Sequence, residues 1–341
     1  MGDRRGAATA GASAPAVLQR PGTWVTRSRY AGPVVNFTLK QLQYFVAVAD
    51  HGSISAAAVA SHISQAAMSQ ALTDLERVVG AQLVVRQRSR GIALTGVGQQ
   101  FLRDVRSLVR HADDVQNTIV ERQQGLVGPL AIGCYTNLAA FWVPVISEKF
   151  IKPNRRLQVT LEEGEGRELQ QKMLDGYLDA VLTHTRHLLP GVEARTVKEG
   201  RPYVLLAADH PLAGRKSVRL AELAEEDFVS LDIPTVRDNQ LVNLRLSGLD
   251  PKIAWRSSSF EAVRGMVARG LGYTVLVQRP PVNTSYDGLP LATVEIDGPV
   301  GHSDICVAYS STARPSLRLQ AFLDFCAEAG GAAGGGPRTT A

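Results

Sequence analysis

At 341 residues, 45% hydrophobic and 20% charged, the chain has an ordinary globular composition with room for two or three domains. No run approaches the roughly 18 uninterrupted apolar residues of a membrane span, and three scattered cysteines exclude a disulfide framework and argue against a zinc site. The net charge of +5 is unevenly spread: five Arg face one Asp over residues 1–36, nine basic side chains face seven acidic over 37–125, and 23 face 24 over 126–341. Only the first third is therefore suited to a polyanion.

Residues 1–36 are rich in Gly, Ala, Pro and Arg without periodicity, which predicts a disordered extension. Arg4 and Arg5 have no compact apolar segment behind them, so this stretch makes a poor export signal. The expected location is a reducing cytoplasm, with Cys134, Cys306 and Cys326 as buried free thiols. From Thr38 the pattern turns helical. Leu39, Leu42, Phe45, Val46 and Ala49 recur at three-four spacing up to Gly52. "SISAAAVASH" predicts a short Ala-rich helix capped by Ser53 or Ser55.

"SQAAMSQALTDLERVVG" follows after Ile63, with Ser64 as N-cap. At 100° per residue, Met68, Leu72, Leu75 and Val79 form an apolar line, while Gln65, Ala66, Ser69 and Thr73 lie opposite with Gln70 at the flank. Side chains that small suit a helix that enters the DNA major groove and place Ser64, Gln65, Ser69 and Gln70 near base edges, where Gln can pair with adenine and Ser can donate or accept. An ordinary amphipathic helix would also fit, so the neighbours decide. "AQLVVRQRS" and "GIALT" form two β-prone runs about a turn and predict a hairpin bearing Arg86, Arg88 and Arg90. Short helix, tight turn, slim polar helix and basic hairpin together make a winged helix-turn-helix, in which the arginines contact phosphate or the minor groove.

Thr95 caps a long helix over about 98–124, whose Leu102, Val105, Val109, Ala112 and Ile119 form a coiled-coil-like seam; packing on its own domain is the alternative. Beyond "GLVGP", strands and helices alternate: "LAIGCY", "LAAFWVPVISEKF", "LQVTLEEG", "RELQQKMLDGY", "DAVLTH", "YVLLAA", "FVSLD", "IAWRSSS", "FEAVRGMVARG" and "YTVLVQ". This predicts α/β layers with mostly parallel sheets, in two lobes. The final "GGAAGGGPRTTA" reads as a flexible tail.

The segment "LKQLQYFVAVADHGSISAAAVASHISQAAMSQALTDLERVVGAQLVVR", with "LTGVGQQFL" after it, resembles the N-terminal domain of LysR-type transcriptional regulators, and the likeness continues more loosely to about residue 328. Three positions depart from the family's habit: Ala56 stands where a basic residue is common, Ala66 where Pro or Ser is, and Gln70 where Arg is. The resemblance implies a winged helix-turn-helix over 37–95, a linker and dimerisation helix over 96–126, and an effector domain over 127–328 like a type 2 periplasmic binding protein. Lobe one would comprise 128–200 and 282–328, lobe two 201–281, and the tail 329–341. It further implies a homo-oligomer, usually a tetramer, that binds promoter DNA and switches when a small molecule enters the cleft, with RNA polymerase as a further candidate partner.

In such a fold the ligand sits at strand C-termini and helix N-termini between the lobes. That places Tyr135, Thr136, Asn137, Thr183 and His184 on one side, and Leu231, Asp232, Ser258, Ser259, Val277 and Gln278 on the other. Hydroxyls at helix starts favour an organic anion, which Asp232 opposes. His184 and His187 lack a third ligand at metal spacing, and no nucleophile has a plausible base, so neither a metal, a cofactor nor catalysis is expected. The competing reading is a solute-binding protein that reuses the two-lobed fold.

Overall fold

The computed structural model describes residues 36–87, 91–312 and 315–332. The extension expected over 1–36 lies outside this range but for its last residue, as do Arg88, Arg90 and the tail from 333. Three helices open the chain: α1 (Leu39–His51), α2 (Ile54–Ala60) and α3 (Gln65–Val79). Each begins at a hydroxyl cap that occupies an otherwise unpaired N–H: Thr38 accepts from Gln41 N, Ser53 from Ala56 N and Ser64 from Ala67 N. Both Gly52 and Gly80 end their helices in the left-handed region, at φ 61° and 72°.

Strands β1 (Val84–Gln87) and β2 (Gly91–Leu94) pair antiparallel, with Val84 opposite Leu94 and Gln87 opposite Gly91, and form the wing. The wing is tied back at two places. Ile92 N donates to Gly52 O at 2.8 Å, and Glu76 of α3 accepts from Leu83 N and Val84 N at 2.7 and 3.1 Å. The long helix α4 (Gly96–Gln124) starts two residues earlier than its spacing suggests, because Thr95 caps it through Gly98 N. A Cβ on Gly98 would stand 2.0 Å from Leu83 O, so the wing and α4 meet only across a glycine. Leu102 and Val105 are buried with Leu42, Phe45, Val48, Met68, Leu72 and Leu75, and Val109 packs against that cluster. The first half of the expected dimer seam is thus spent inside this domain. The Ile119 side chain lies outside the described residues.

The remainder is two-lobed. β3 (Gly128–Tyr135), α5 (Thr136–Ile146), β4 (Leu157–Gly164), α6 (Gly166–Leu174), β5 (Ala180–His184) and β6 (Val192–Lys198) build most of lobe one. Lobe two holds β7 (Tyr203–Ala207), β8 (Ser217–Val218), β9 (Asp227–Leu231), α7 (Pro234–Leu246), β10 (Lys252–Ser257), α8 (Phe260–Ala268), β11 (Thr274–Leu276) and β12 (Leu291–Ile296). The chain then returns to lobe one as β13 (Ile305–Ser310) and α9 (Leu317–Ala332).

Sheet order is β4-β3-β5-β13-β6 in lobe one and β11-β7-β12-β8 in lobe two, with β10 beside β9. The sheets are mixed rather than mostly parallel: β13 runs antiparallel to both neighbours, as does β7. β12 pairs with β7 over five residues, so the return to lobe one comes after 296 and not at 282. α9 continues to Ala332, past the expected start of the tail at 329.

The two passes between lobes touch. Ser303 N donates to Gly200 O at 3.0 Å, and Gly200 N donates to Asp304 Oδ1 at 3.0 Å. A Cβ at Gly200 would lie 2.0 Å from Ser303 O. No helix among the described residues is long and apolar enough to cross a membrane.

Candidate nucleic-acid interface and effector cleft

α3 buries Met68, Leu72 and Leu75 against α1 and α2, which leaves its opposite side in solvent. Ala66, Ala67, Gln70 and Thr73 are exposed there, Gln65 is exposed in the first turn, and Ser69 is half-buried. Two predicted contacts are already engaged within the domain. The Ser64 hydroxyl caps α3, and Ser69 Oγ accepts from Arg86 Nη2 at 3.3 Å. Thr73 Oγ1 donates to Ser69 O, as hydroxyls inside helices commonly do. At the far end of the ridge Arg77 pairs with Asp74 at 2.6 Å and holds that carboxyl below the usual carboxylate range. On α2, Ser53 is the cap, and Ser55 projects into solvent in the first turn. The result is a ridge of amides and small side chains, flanked by an arginine-bearing wing that is fastened to it.

Between the lobes the structure brings together most of the predicted cleft residues. Thr136, Asn137, Ser258 and Ser259 line an outer cavity of about 650 Å³, where the N-termini of α5 and α8 converge. Asn137, His184, Leu231, Val277 and Gln278 line a narrow inner recess of about 20 Å³. Tyr135, Thr183 and Asp232 line neither. Tyr135 and Thr183 are buried, and Asp232 is paired with Arg237 at 3.0 Å. His184 is buried, with Nδ1 3.1 Å from Ser303 O, and burial pushes its pKa below the usual imidazole range. Its ring meets Tyr135 edge-on at 5.9 Å.

Sequence reasoning missed Asn239, Gln240 and Asn243, three buried amides on one face of α7. Asn239 Nδ2 donates to Ser303 Oγ at 3.1 Å, and Asn243 Oδ1 accepts from Gly301 N at 2.7 Å, so α7 is stitched to the interlobe passes. Asn137 Oδ1, Asn239 Oδ1 and Gln278 Nε2 are buried without a hydrogen-bond partner. Such atoms favour a hydrogen-bonding guest, since an unpaired buried polar group costs about 1–3 kcal/mol.

The three thiols are buried; Cys134 and Cys306 are pushed up to about 12 by burial, and Cys326 is raised by the same cause. His184 and His187 do not converge: the former bonds to Ser303, and the His187 carbonyl accepts from Gln170 Nε2. No group of three metal-ligating side chains occurs among the described residues.

Comparison with known proteins agrees with both halves of this geometry. Residues 39–99 match the bacterial regulatory helix-turn-helix of the lysR family, and 123–331 match the LysR substrate binding domain. The uncharacterized HTH-type transcriptional regulator YnfL of Escherichia coli (strain K12) is 33% identical over 249 residues, covering 71% of this chain and 82% of its own length. The crystal structure of HinK, a LysR family regulator from Pseudomonas aeruginosa, is 30% identical with a TM-score of 0.58, over 86% of this chain and 99% of HinK. A full-length OxyR variant from Pseudomonas aeruginosa, at 23% identity and a TM-score of 0.66 over 86% of this chain and 94% of its own, shares the fold. With a matched helix-turn-helix at one end and a matched effector domain over the rest, the chain belongs to the LysR family of DNA-binding transcriptional regulators, which are not enzymes.

Proposed function

We propose that the chain is a cytoplasmic, ligand-responsive regulator that binds an interrupted palindrome in promoter DNA as a homo-oligomer. The exposed ridge of α3 carries this reading. Gln65, Gln70 and Thr73 face base edges, Ala66 gives close approach, and Ser55, Arg86, Arg88 and Arg90 hold the backbone, with Ser53, Ser64 and Ser69 as the braces that orient them. In a gel-shift with the chain's own upstream DNA, Gln65→Ala weakens binding by about 1–3 kcal/mol and relaxes one base position. Loss of affinity spread evenly over all sequences would contradict a base-reading role for Gln65.

Self-association uses a face of α4 other than the expected seam. Val97, Leu108 and Val115 are 55%, 47% and 62% exposed, and offsets of eleven and seven place them on one side of the helix. A second copy of α4 is the natural cover. A partner role for RNA polymerase rests on the family resemblance alone.

The effector is a small polar molecule held between the lobes. Among the described residues lining the two cavities, the only cation is Arg264, paired with Glu261 at 2.7 Å. An anion would enter without a free counter-charge, so an uncharged hydrogen-bonding ligand fits better than the organic anion expected from hydroxyl-capped helix starts. The solute-binding alternative leaves the DNA-reading ridge unexplained.

A further inference from the structure

α4 carries a second pattern that the DNA-binding and dimer readings do not use. Arg103, Arg106, Arg110, Asp114 and Glu121 recur on one side of the helix, and that side lies along lobe one. Arg318 of α9 joins Glu121 at 2.9 Å and also pairs with Asp114. Further up the helix, the contacts converge on the turn between α6 and β5. Arg103 lies 3.7 Å from the Asp175 carboxylate. Arg110 Nη1 donates to Gly176 O and Leu178 O, both at 3.2 Å, and reaches Asp179 at 3.4 Å.

Arg106 is the joint. Its side chain is 6% exposed. One nitrogen donates to Asp50 at the end of α1, another donates to Asp175 O at 3.1 Å, and the guanidinium stacks 3.5 Å from the Tyr177 ring centre. The approach requires Gly176, which has φ +82° and whose Cβ would stand 2.9 Å from Arg106 Cβ. One buried arginine therefore touches the DNA-binding domain, the linker helix and lobe one at once.

The turn 175–179 is also the far end of the cleft wall. α6 runs from Gly166 to this turn, about 14 Å of helix, and β5 runs from the turn back to Thr183 and His184. At the cleft end the two elements meet, since a Cβ on Gly166 would stand 3.2 Å from Thr183 Oγ1. β3 is drawn in as well. Asp179 accepts from Ala131 N at 2.8 Å through its side chain and donates to Ala131 O at 2.7 Å through its backbone, and β3 ends at Tyr135 beside the outer cavity. Three stiff elements thus have one end at the cleft and the other at the arginine stripe.

We propose that the α6–β5 turn and the arginine stripe of α4 relay the state of the cleft to the DNA-binding domain, with Arg106 as the positioning residue between them. This rests on the effector reading of the cleft. The interface chemistry suits a relay. Guanidinium-to-carbonyl contacts can break and re-form in water without exposing apolar surface, whereas a hydrophobic seam would lock the bodies together. Movement at Asp175 reaches Asp50 through one side chain, and α1 packs directly on α2 and α3.

Amide hydrogen exchange on the full chain tests the relay without any ligand. Tyr177→Ala removes the stacking partner but leaves the Arg106–Asp50 pair, so folding is spared. It is expected to speed exchange at least threefold both at residues 47–51 and at the cleft end of β5, residues 181–185. Tyr177→Phe keeps the ring and is expected to match the wild type. In the reverse direction, Thr183→Ala is expected to alter exchange over 103–111. Changes confined to 175–179 and its immediate neighbours overturn the proposal, as does equal disturbance by Tyr177→Phe. If exchange is coupled but no small molecule that enters the cleft alters DNA affinity, the effector reading fails and the mechanical link stands.

Discussion

Glu76 fixes the wing relative to α3, the helix proposed to read DNA, and its removal gives a sharp test of that geometry. Its Oε1 accepts from the backbone N–H groups of Leu83 and Val84 at 2.7 and 3.1 Å, and both residues are buried. Glu76→Ala strands the two donors. Hydrogen bonds to a charged group contribute about 1.5–3 kcal/mol each, and because Glu76 is itself half-exposed we take the lower end, about 3 kcal/mol for the pair. At 1.4 kcal/mol per decade, the Leu83 and Val84 amides should exchange about 100-fold faster than in the wild type. Glu76→Gln retains an acceptor oxygen without its charge, which roughly halves the loss to about a tenfold effect. The assay is site-resolved amide exchange, with DNA affinity measured alongside. Equal acceleration by Ala and Gln, or less than threefold in both, would refute the view that this carboxylate is the clasp.

Gly98→Ala is expected to destabilise the N-terminal domain by about 2 kcal/mol or more, because its Cβ collides with a backbone oxygen that has nowhere to move; a melt unchanged within a degree would disprove the close approach. Leu108→Glu with Val115→Glu should halve the mass seen by analytical ultracentrifugation while the fold, followed by circular dichroism, is kept. Acid should loosen the interlobe region. The folded pKa of His184 is depressed chiefly by burial, so the unfolded chain binds more protons, and stability present above the usual imidazole range is lost as pH falls through it. His184→Gln should flatten the dependence of melting temperature on pH between 5 and 7, and an unaltered slope would assign the effect elsewhere.

The DNA-binding half was readable from residues because local and global signals coincide there. Thr38, Ser53 and Ser64 cap the helices that their positions announce, and Gly52 and Gly80 close two of them. The effector half was readable only in outline. α7 escaped because its inner face carries Asn239, Gln240 and Asn243 rather than an apolar stripe, so the periodicity that reveals other helices is absent. Amides at 239, 240 and 243 behind a helix-starting Pro234 were the signal, and only three-dimensional context shows that they face a cleft. The seam on α4 was ambiguous for a different reason. Leu102 and Val105 satisfy a dimer pattern and an intradomain core equally well, and the wing and α1 reach them first. The lobe boundary shifted because β12 finds its partner, β7, far earlier in the chain, a pairing that no local pattern marks.

The lacing of the two interlobe passes at Gly200 and Ser303 has one more consequence. Two chain segments bound side by side resist sliding past each other, which leaves bending about their common line as the soft motion. Lobe two then swings like a door on a single pin. A guest's thickness becomes an opening angle, so molecules of unlike chemistry but equal girth would set the door equally far ajar.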